Sequence, residues 1–194
     1  MDGLELLKQD HDKVNALFRQ FEQGGNSQEF EMLFMQLYDA LVLHTVIEEQ
    51  VLYPMLKLMP ETASLARQAY NEHGQAKLTL TKIASLDNTS AEWGQMMTTL
   101  MREITQHVQE EEGTIFPKLR QLMSEAQLRD LGDQLQRAKD KGINSAVLNE
   151  LSQSGATAMP PMQTMPTSGL KSATMMTDMD LPAVNTLQPT NPTL

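Results

Sequence analysis

Residues 44–54 read HTVIEEQVLYP and residues 107–117 read HVQEEEGTIFP, so the chain contains the pattern H-x-x-x-E-E-x-x-[LI]-[YF]-P twice. On a helix, residues four apart lie on one face, so each copy sets an imidazole beside a carboxylate. The pairs are His44 with Glu48 and His107 with Glu111. A nitrogen and an oxygen side by side form a chelate for a metal ion of intermediate hardness. The repeat therefore predicts two helices that bind metal in the same way.

The other two histidines stand at matching distances before the repeated pattern. His11 lies thirty-three positions before His44, and His73 lies thirty-four positions before His107. Each half of the chain thus supplies one helix with a single histidine and one helix with His-x-x-x-Glu. We expect an all-α fold in which the two halves form a pseudo-twofold four-helix bundle, because such bundles build metal sites from inward-facing side chains.

Composition excludes several classes of site and partner. The chain of 194 residues is 40% apolar, enough for one domain with a core, and it contains no cysteine. Disulfides, thiolate zinc sites, iron–sulfur clusters and cysteine nucleophiles are excluded, so a metal must be held by nitrogen and oxygen. The net charge of −10, with no basic patch in view, argues against a nucleic-acid partner.

The first residues, MDGLELLKQDHD, begin directly in charged amphipathic sequence. They show no basic segment followed by an apolar one, as a secretory signal would, and no run approaches the roughly 18 apolar residues of a membrane helix. We therefore expect a cytoplasmic protein without a membrane partner.

The apolar residues near each histidine recur at steps of three and four, the spacing of a buried helix face. In the first helix the stripe runs through Leu7, Val14 and Phe18, and His11 takes the place of an apolar residue. Gly24-Gly25 should end this helix. Capping boxes are predicted at three helix starts: Asn26 with Glu29, Thr89 with Glu92, and Ser124 with Gln127.

Proline and composition mark the remaining boundaries. Pro54 should kink or end the second helix just past its proposed ligands, and Pro60 is well placed to begin the third. A short fifth helix, roughly Glu125 to Lys141, should pack on the outside, so that residues 1–142 form the metal-binding bundle.

Residues 143–194 read as a weakly structured to disordered tail rich in Met, Pro, Thr and Ser. It is expected to be a solvated tether or a docking segment. Because thioethers suit Cu(I), capture of a soft metal by its methionines is the less favoured alternative: Met159, Met162, Met165, Met175, Met176 and Met179.

A core that buries four imidazoles and two carboxylates is hard to tolerate without a cation, because a buried unpaired carboxylate is strongly destabilising or shifts its pKa. Two cations satisfy this set. Each ion would receive two imidazole nitrogens, one oxygen from each bridging glutamate and one shared solvent oxygen, which leaves a coordination position open. The symmetry of the repeat favours Glu48 and Glu111 as the bridges.

Several assignments stay open at this stage. The adjoining Glu49, Glu110 and Glu112 are alternative ligands, since a distorted helix can use i+5 in place of i+4. Iron, manganese and zinc all suit imidazole and carboxylate ligands. Other polar side chains are candidates to orient the imidazoles, although exposed acidic residues on a helix are normally just solvated: Asp10, Asp12, Glu72, Tyr38, Tyr53 and Tyr70.

The pattern H…HxxxE…H…HxxxE, with its repeated E-E-x-x-x-[YF]-P, resembles the hemerythrin-like HHE cation-binding family over residues 1–140. The resemblance implies an up-down four-helix bundle with a non-haem di-iron centre, two iron ions bridged by an oxo or hydroxo group. The positions that match the family's ligands are His11, His44, Glu48, His73, His107 and Glu111.

Two departures bear on function. Oxygen-carrying hemerythrins have a fifth histidine four residues after the one on the third helix, where this chain has Lys77, and an aspartate five residues after the last histidine, where it has Glu112. Simple oxygen storage is therefore disfavoured. The set is similar to the di-iron domain of the repair-of-iron-centres proteins, whose role is linked to nitrosative and oxidative stress. The Cys-containing segment that many of those proteins carry is missing from this sequence.

Three functional hypotheses follow. The first is binding, sensing or detoxification of a small diatomic or peroxide ligand, namely O2, NO or H2O2, at the open iron positions. The alternative is iron handling: iron sensing, donation or repair of iron–sulfur centres under stress. A third is a scaffold that the metal simply holds together. The oligomeric state is left open, as is the question of whether the protein is an enzyme.

Overall fold

The structure is a computed structural model that describes residues 1–144. Within this range the chain forms helices only, joined by short turns. The α-helices are α1 (Gly3–Glu22), α2 (Ser27–Ile47), α3 (Tyr53–Leu58), α4 (Ala63–Ala84), α5 (Ala91–Glu110), α6 (Phe116–Leu122) and α7 (Glu125–Asn144). Two π-helical turns, π1 (Glu48–Leu52) and π2 (Glu111–Ile115), join α2 to α3 and α5 to α6. The predicted all-α bundle is confirmed.

Two apolar clusters fill the bundle interior, one on each side of the histidines. One cluster contains Leu4 and Leu7 from the start of α1, and the other contains Val14 and Phe18 from its second half. His11 lies between these stretches and is 2% exposed. The helices α2 and α4 divide in the same way. Helix α5 contributes only to the second cluster, and the π2 and α6 segments that follow it contribute Ile115 and Phe116 to the first, so the polar side chains form a layer between two apolar regions.

The helix ends follow local capping chemistry. Gly24, at φ 81°, lies just after α1, as the glycine pair predicted. The capping box of Asn26 with Glu29 is present at the start of α2. The pair of Ser124 and Gln127 is also present before α7, since each backbone N–H donates to the other's side chain at 2.9 and 3.4 Å.

The predicted capping box of Thr89 with Glu92 is wrong. The N-cap of α5 is Ser90, whose side chain accepts a hydrogen bond from the backbone N–H of Trp93. Thr89 instead donates its hydroxyl to Asp87 at 2.7 Å. A serine directly after a threonine offers the same capping chemistry one residue later, and the turn at Asp87 selects it.

Of the two outcomes predicted for Pro54, an end to the helix is wrong, and Pro60 does not begin the third helix. Pro54 does not end the helix, which continues through π1 and α3 to Leu58. In π1 the backbone N–H of Tyr53 donates to the carbonyl of Glu48, five residues back. Since proline has no N–H to offer, the chain reaches it through one widened turn. Pro60 lies in the following turn, and α4 begins later, after its N-cap Thr62.

The fifth helix is confirmed, although with 20 residues it is not short. It packs against α1, α2 and π1, and its Leu128, Leu131 and Leu135 are buried in the first apolar cluster. Glycine permits this approach: a Cβ on Gly132 would collide with the backbone of Met1, and one on Gly3 would lie 2.6 Å from Leu131. The fifth helix therefore packs closely against the bundle and contributes to its core.

The run Ser27–Leu58 is long and apolar enough to cross a membrane by composition, with a mean hydropathy of 1.3 over its best window. A single helix of this kind is weak support for a membrane span, because the core helix of a bundle passes the same test. This run also carries the buried His44 and Glu48. The absence of a membrane partner stays a prediction. The expected tail, residues 143–194 with its methionines, falls almost wholly outside the described residues.

Candidate metal centre

The polar layer is built by matching positions on four of the five long helices. His11 comes from α1 and His73 from α4, while α2 and α5 supply His44 and His107 in their last turns. The two glutamates, Glu48 and Glu111, open the π-turns, and both are 0% exposed.

The histidines meet in pairs, and each pair comes from one half of the chain. The Nε2 atoms of His11 and His44 lie 3.2 Å apart, and those of His73 and His107 lie 3.1 Å apart. The ring nitrogens that can bind metal thus converge on two points. Each point therefore gathers two imidazoles, one from each of two helices.

The carboxylates connect the two points. One group of ligand atoms within 4.8 Å of one another comprises His11, His44, Glu48 and Glu111, and a second comprises Glu48, His73 and His107. Glu48 belongs to both groups. Glu111 also faces both halves, since its Oε2 lies 3.4 Å from Nε2 of His11 and 3.8 Å from Nε2 of His107. All six predicted residues are therefore brought together, and both glutamates lie between the two imidazole pairs.

Three of the four imidazoles are oriented by a further carboxylate at Nδ1. His11 meets Glu112 at 2.9 Å, His73 meets Glu49 at 3.1 Å and His107 meets Glu72 at 2.8 Å. An acceptor at Nδ1 fixes the tautomer that leaves Nε2 free for a metal and makes the imidazole a better donor. The Nδ1 of His44 is buried without a hydrogen-bond partner.

These contacts separate the two glutamates of each E-E pair. Glu48 and Glu111 point into the centre, whereas Glu49 and Glu112 turn to the neighbouring helices, where they also meet Lys77 at 2.7 Å and Lys8 at 2.8 Å. The adjacent residue on a helix is rotated by about 100°, so the doublet serves two purposes. From the sequence, Glu49 and Glu112 were predicted only as alternative ligands, and their role in orienting the imidazoles was not predicted.

Tyr53 places a hydroxyl in the centre. This fully buried side chain donates toward Glu48 Oε2 at 3.1 Å and Glu111 Oε1 at 3.0 Å, and it lies 2.9 Å from Nε2 of His73. The matching residue of the second half is Phe116, whose ring stacks on His11 at 5.9 Å. The two imidazole pairs therefore differ in their neighbours, because a hydroxyl group lies beside His73 and an apolar ring lies beside His11.

Other predicted orienting residues have lesser roles. Glu72 is confirmed in contact with His107, and Tyr70 donates to the backbone carbonyl of Glu49 at 3.1 Å. Asp12 lies 3.9 Å from Lys8 on the surface, and Tyr38 packs within the second apolar cluster. Asp10 forms an ion pair with Lys139 of α7.

The electrostatics of the centre favour a positive charge between the carboxylates. Burial, together with the negative charge of Glu111, raises the pKa of Glu48 well above its usual value. Burial also acts to raise the pKa of Glu111, but contacts with His11 and His107 outweigh it and the pKa is lowered. When both neighbouring carboxylates are ionised, their negative charges repel each other unless a cation lies between them.

The donor set fits metal ions. Oε1 of Glu48 and Oε2 of Glu111 are buried oxygens without a hydrogen-bond partner, and such oxygens are costly unless a proton donor or cation satisfies them. Burial, followed by the charge of His11, lowers the pKa of His44 well below its usual value and so favours the neutral imidazole that metals bind. Imidazole and carboxylate ligands suit iron, manganese and zinc alike.

One cavity in the described part of the chain adjoins this centre. It has a volume of about 200 Å³, lies between α4 and the α5–π2 segment, and is lined by residues that include Gln68, Glu72, Glu110, Glu111 and Thr114. Gln68 donates to Glu110 and, at 3.0 Å, to Glu72. The cavity thus runs from partly exposed acidic side chains to the fully buried Glu111.

Comparison with known proteins gives one family. The profile described as "Hemerythrin HHE cation binding domain" matches residues 2–119. A solved structure of a hemerythrin HHE cation binding domain-containing protein from Mycobacterium kansasii superimposes with a TM-score of 0.70 at 25% identity, over 81% of this chain and 96% of that one.

A curated relative from Nostoc sp. (strain PCC 7120) is named "DNA nickase" and is 28% identical over 141 residues. The matched region is 73% of this chain but 40% of that protein, so the chain spans well under half of the relative's length.

Proposed function

The chain belongs to the hemerythrin HHE cation binding domain family, and from this premise we propose that it is a non-haem di-iron protein that binds, senses or detoxifies O2, NO or peroxide. Metal binding follows from the family. Iron, the count of two ions and the small ligand are parts of the proposal. The observation that supports it most is the pair of ligand groups sharing Glu48.

The residues assigned to each ion follow the two groups. His11 and His44 would hold one ion, His73 and His107 the other, and Glu48 and Glu111 would bridge them. When bound, a pair of ferrous ions supplies coordination sites and electrons for a small oxygen or nitrogen ligand. Three imidazole nitrogens per site are not available, because the position that a fifth histidine would take is Lys77.

The remaining residues would control the surroundings of the bound ligand. The Tyr53 hydroxyl lies among Glu48, Glu111 and His73, where it can donate a hydrogen bond to an oxygen atom. Burial and the two carboxylates raise its pKa well above the usual value, so the phenol keeps its proton. The two apolar clusters exclude water above and below the centre, which strengthens each of these polar contacts.

The test uses iron-loaded full-length protein, reduced without oxygen and then mixed separately with O2, NO and H2O2. We expect new charge-transfer absorption or consumption of at least one ligand. The cation-stripped chain serves as the control and should do neither. Inertness of the loaded protein toward all three ligands would remove this function.

Iron handling is the second candidate, and the acidic cavity beside Glu111 favours it, because such a lining attracts cations. In that case loaded protein should transfer iron to an apo iron–sulfur acceptor faster than free iron is taken up at the same concentration. Retention of the iron over the full time course would contradict this candidate.

A role on nucleic acid is not part of the proposal. The name of the Nostoc relative belongs to a protein more than twice as long as the matched region. The net charge of −10 opposes approach to a phosphate backbone. Nicking of a supercoiled plasmid by the metal-loaded chain would overturn this part. We further propose that the protein acts in the cytoplasm.

A further inference from the structure

The cavity between α4 and α5 has a counterpart in the other half of the bundle, and the two differ. The repeat aligns α1 with α4 and α2 with α5, so the positions of Gln68 and Glu110 correspond to Leu6 and Ile47. Leu6 is 5% exposed and Ile47 is 0% exposed. One groove is therefore apolar and covered, whereas its counterpart is open and has polar side chains at these two positions beside the apolar Leu65, Ala69 and Ile115.

The covered groove is closed by the fifth helix. Helix α7 packs on α1, α2 and π1, and its leucines join Leu6 and Ile47 in one buried cluster. Lys139 of α7 forms an ion pair with Asp10, whose position corresponds to that of Glu72. On this face, a lysine ammonium group already neutralises the carboxylate.

In the open groove, Glu72 occupies the position that corresponds to Asp10, but no lysine of the described part of the chain takes the place of Lys139. Among residues 1–144, no lysine or arginine lies within ion-pair distance of Glu72 or Glu110. Glu72 accepts from Gln68 and meets Nδ1 of His107, and Glu110 accepts from Gln68 and Gln106. The side chain of Glu72 is 23% exposed, so the groove combines negative charge with contact to solvent.

The residues at the inner end of the groove are suited to a cation. Glu111 lines the cavity, is 0% exposed, and has an Oε2 atom without a hydrogen-bond partner. A dication moving inward would thus pass from partly hydrated carboxylates to an unsatisfied buried oxygen. Low-dielectric walls lined by one sign of charge concentrate the opposite ion and speed its association.

We propose that this groove is the passage by which divalent cations reach and leave the metal centre, with Glu110 and Gln68 at its mouth. The proposal rests on the proposed function, since it requires that the centre bind such ions. Glu110 acts on the rate of passage and is not a ligand, so it should change loading and release without changing the affinity at equilibrium.

The first experiment compares Glu110→Gln with the unaltered full-length chain. Chelator-stripped protein is mixed with Fe²⁺ without oxygen, and free ion is trapped by a colorimetric chelator at successive times. We expect uptake to slow about fivefold, as one charge is lost from a focusing cleft. The matched control is Glu92→Gln, the same change on the same helix at its pairing with Lys82 on the surface; its uptake should match that of the unaltered chain.

Release from loaded protein to excess chelator gives the second readout. A change at the passage should slow release and uptake by similar factors, leaving the dissociation constant within about twofold. Slower uptake accompanied by a proportionate loss of affinity would instead make Glu110 a ligand and overturn the proposal. Uptake by the unaltered chain should also fall with added salt, more steeply than uptake by Glu110→Gln.

A second variant keeps the proposal testable if Glu110→Gln fails to fold. Gln68→Lys at this exposed position supplies the ammonium that Lys139 provides on the covered face. It should slow uptake more than Glu110→Gln does. Equal rates of Fe²⁺ uptake by both variants and the unaltered chain would contradict the proposed passage but would leave the proposed function standing. Failure of the unaltered chain to take up any Fe²⁺ would remove the proposed function and this inference with it.

Discussion

The two halves of the bundle supply the same ligands but different surroundings. Each half donates two imidazoles that meet within 3.2 Å and one buried glutamate at the start of a π-turn. Beyond the ligands, the first half contributes Tyr53, whose hydroxyl lies beside His73 of the second half, and a groove sealed by α7. The second half contributes Phe116, whose ring stacks on His11 of the first half, and a groove whose lining includes Glu72 and Glu110.

In the proposed centre, this difference would separate the residues that hold the ions from the residues that control access to them. The ligand positions would have to be repeated, because each of two ions would need nitrogen from its own pair of helices and oxygen from both glutamates. The outer residues are under no such constraint. One half is therefore able to close and supply a hydroxyl group, while the other stays open to solvent.

The largest expected effect lies in the bridging glutamates and tests whether the halves are equivalent as ligands. Glu48→Gln and Glu111→Gln should each abolish stoichiometric metal binding, because both carboxylates face both imidazole pairs. Their neighbours are matched controls: Glu49→Gln and Glu112→Gln should lower metal affinity only about 10- to 100-fold. Competition with a chelator of known affinity measures both. The reverse ranking would show that the second glutamate of each pair is the ligand.

Acid should release metal from both halves over one pH range. Protons and metal ions compete for the same imidazole nitrogens, so affinity falls as the pH falls and a protonated histidine cannot bind. Each half relies on two imidazoles, which predicts joint release. The measurement is metal content after equilibration at successive pH values. Full retention at pH 4 would contradict binding through the imidazoles, and release of one ion well before the other would contradict the equivalence of the two pairs.

Glycine substitutions should sharpen the contrast between the sealed and open faces. A Cβ on Gly132 would collide with the backbone of Met1, whereas one on Gly94 of α5 meets nothing within 4 Å. Gly132→Ala should therefore lower the free energy of unfolding by about 1–3 kcal/mol, and Gly94→Ala should raise it by about 0.5–1 kcal/mol. Chemical denaturation gives both values. A shift of the same sign for both variants would mean that α7 does not dock through Gly132.

The smallest effect concerns the Tyr53 hydroxyl group, which is one of the features in which the surroundings of the two imidazole pairs differ. Tyr53→Phe should make the two iron environments more alike in the Mössbauer spectrum, while changing metal affinity by less than about tenfold. Phe116→Tyr is the reciprocal control and should alter the environment beside His11. Identical spectra for Tyr53→Phe and the unaltered protein would place the hydroxyl outside the centre's influence.

Much of this arrangement could be predicted from the sequence because it is periodic. Helix faces, the capping boxes at Asn26 and Ser124 and the convergence of the six polar residues all follow from spacing within and between the repeats. The role of the second glutamate in each E-E doublet was harder to predict. It contacts a histidine on a neighbouring helix, and the spacing of residues along the chain does not show which helix that is. The continuation of the helix past Pro54 depended on a π-turn, which has no reliable local signal.

The sealed face was partly visible in the sequence. Aligning the repeats already sets Leu6 against Gln68 and Ile47 against Glu110, which indicates one apolar and one polar groove. What covers the apolar groove could not be derived, because the approach of α7 depends on contacts between Gly3, Gly132 and the backbone of Met1. Glycines within a helix carry no signal of their partner in the sequence.

The most direct test of the dinuclear centre is the number of metal ions bound per chain, measured by elemental analysis of full-length protein loaded with iron and freed of excess. The shared position of Glu48 between two imidazole pairs predicts two ions per chain, and none in Glu48→Gln. One ion per chain, or an unchanged count in that variant, would contradict the account.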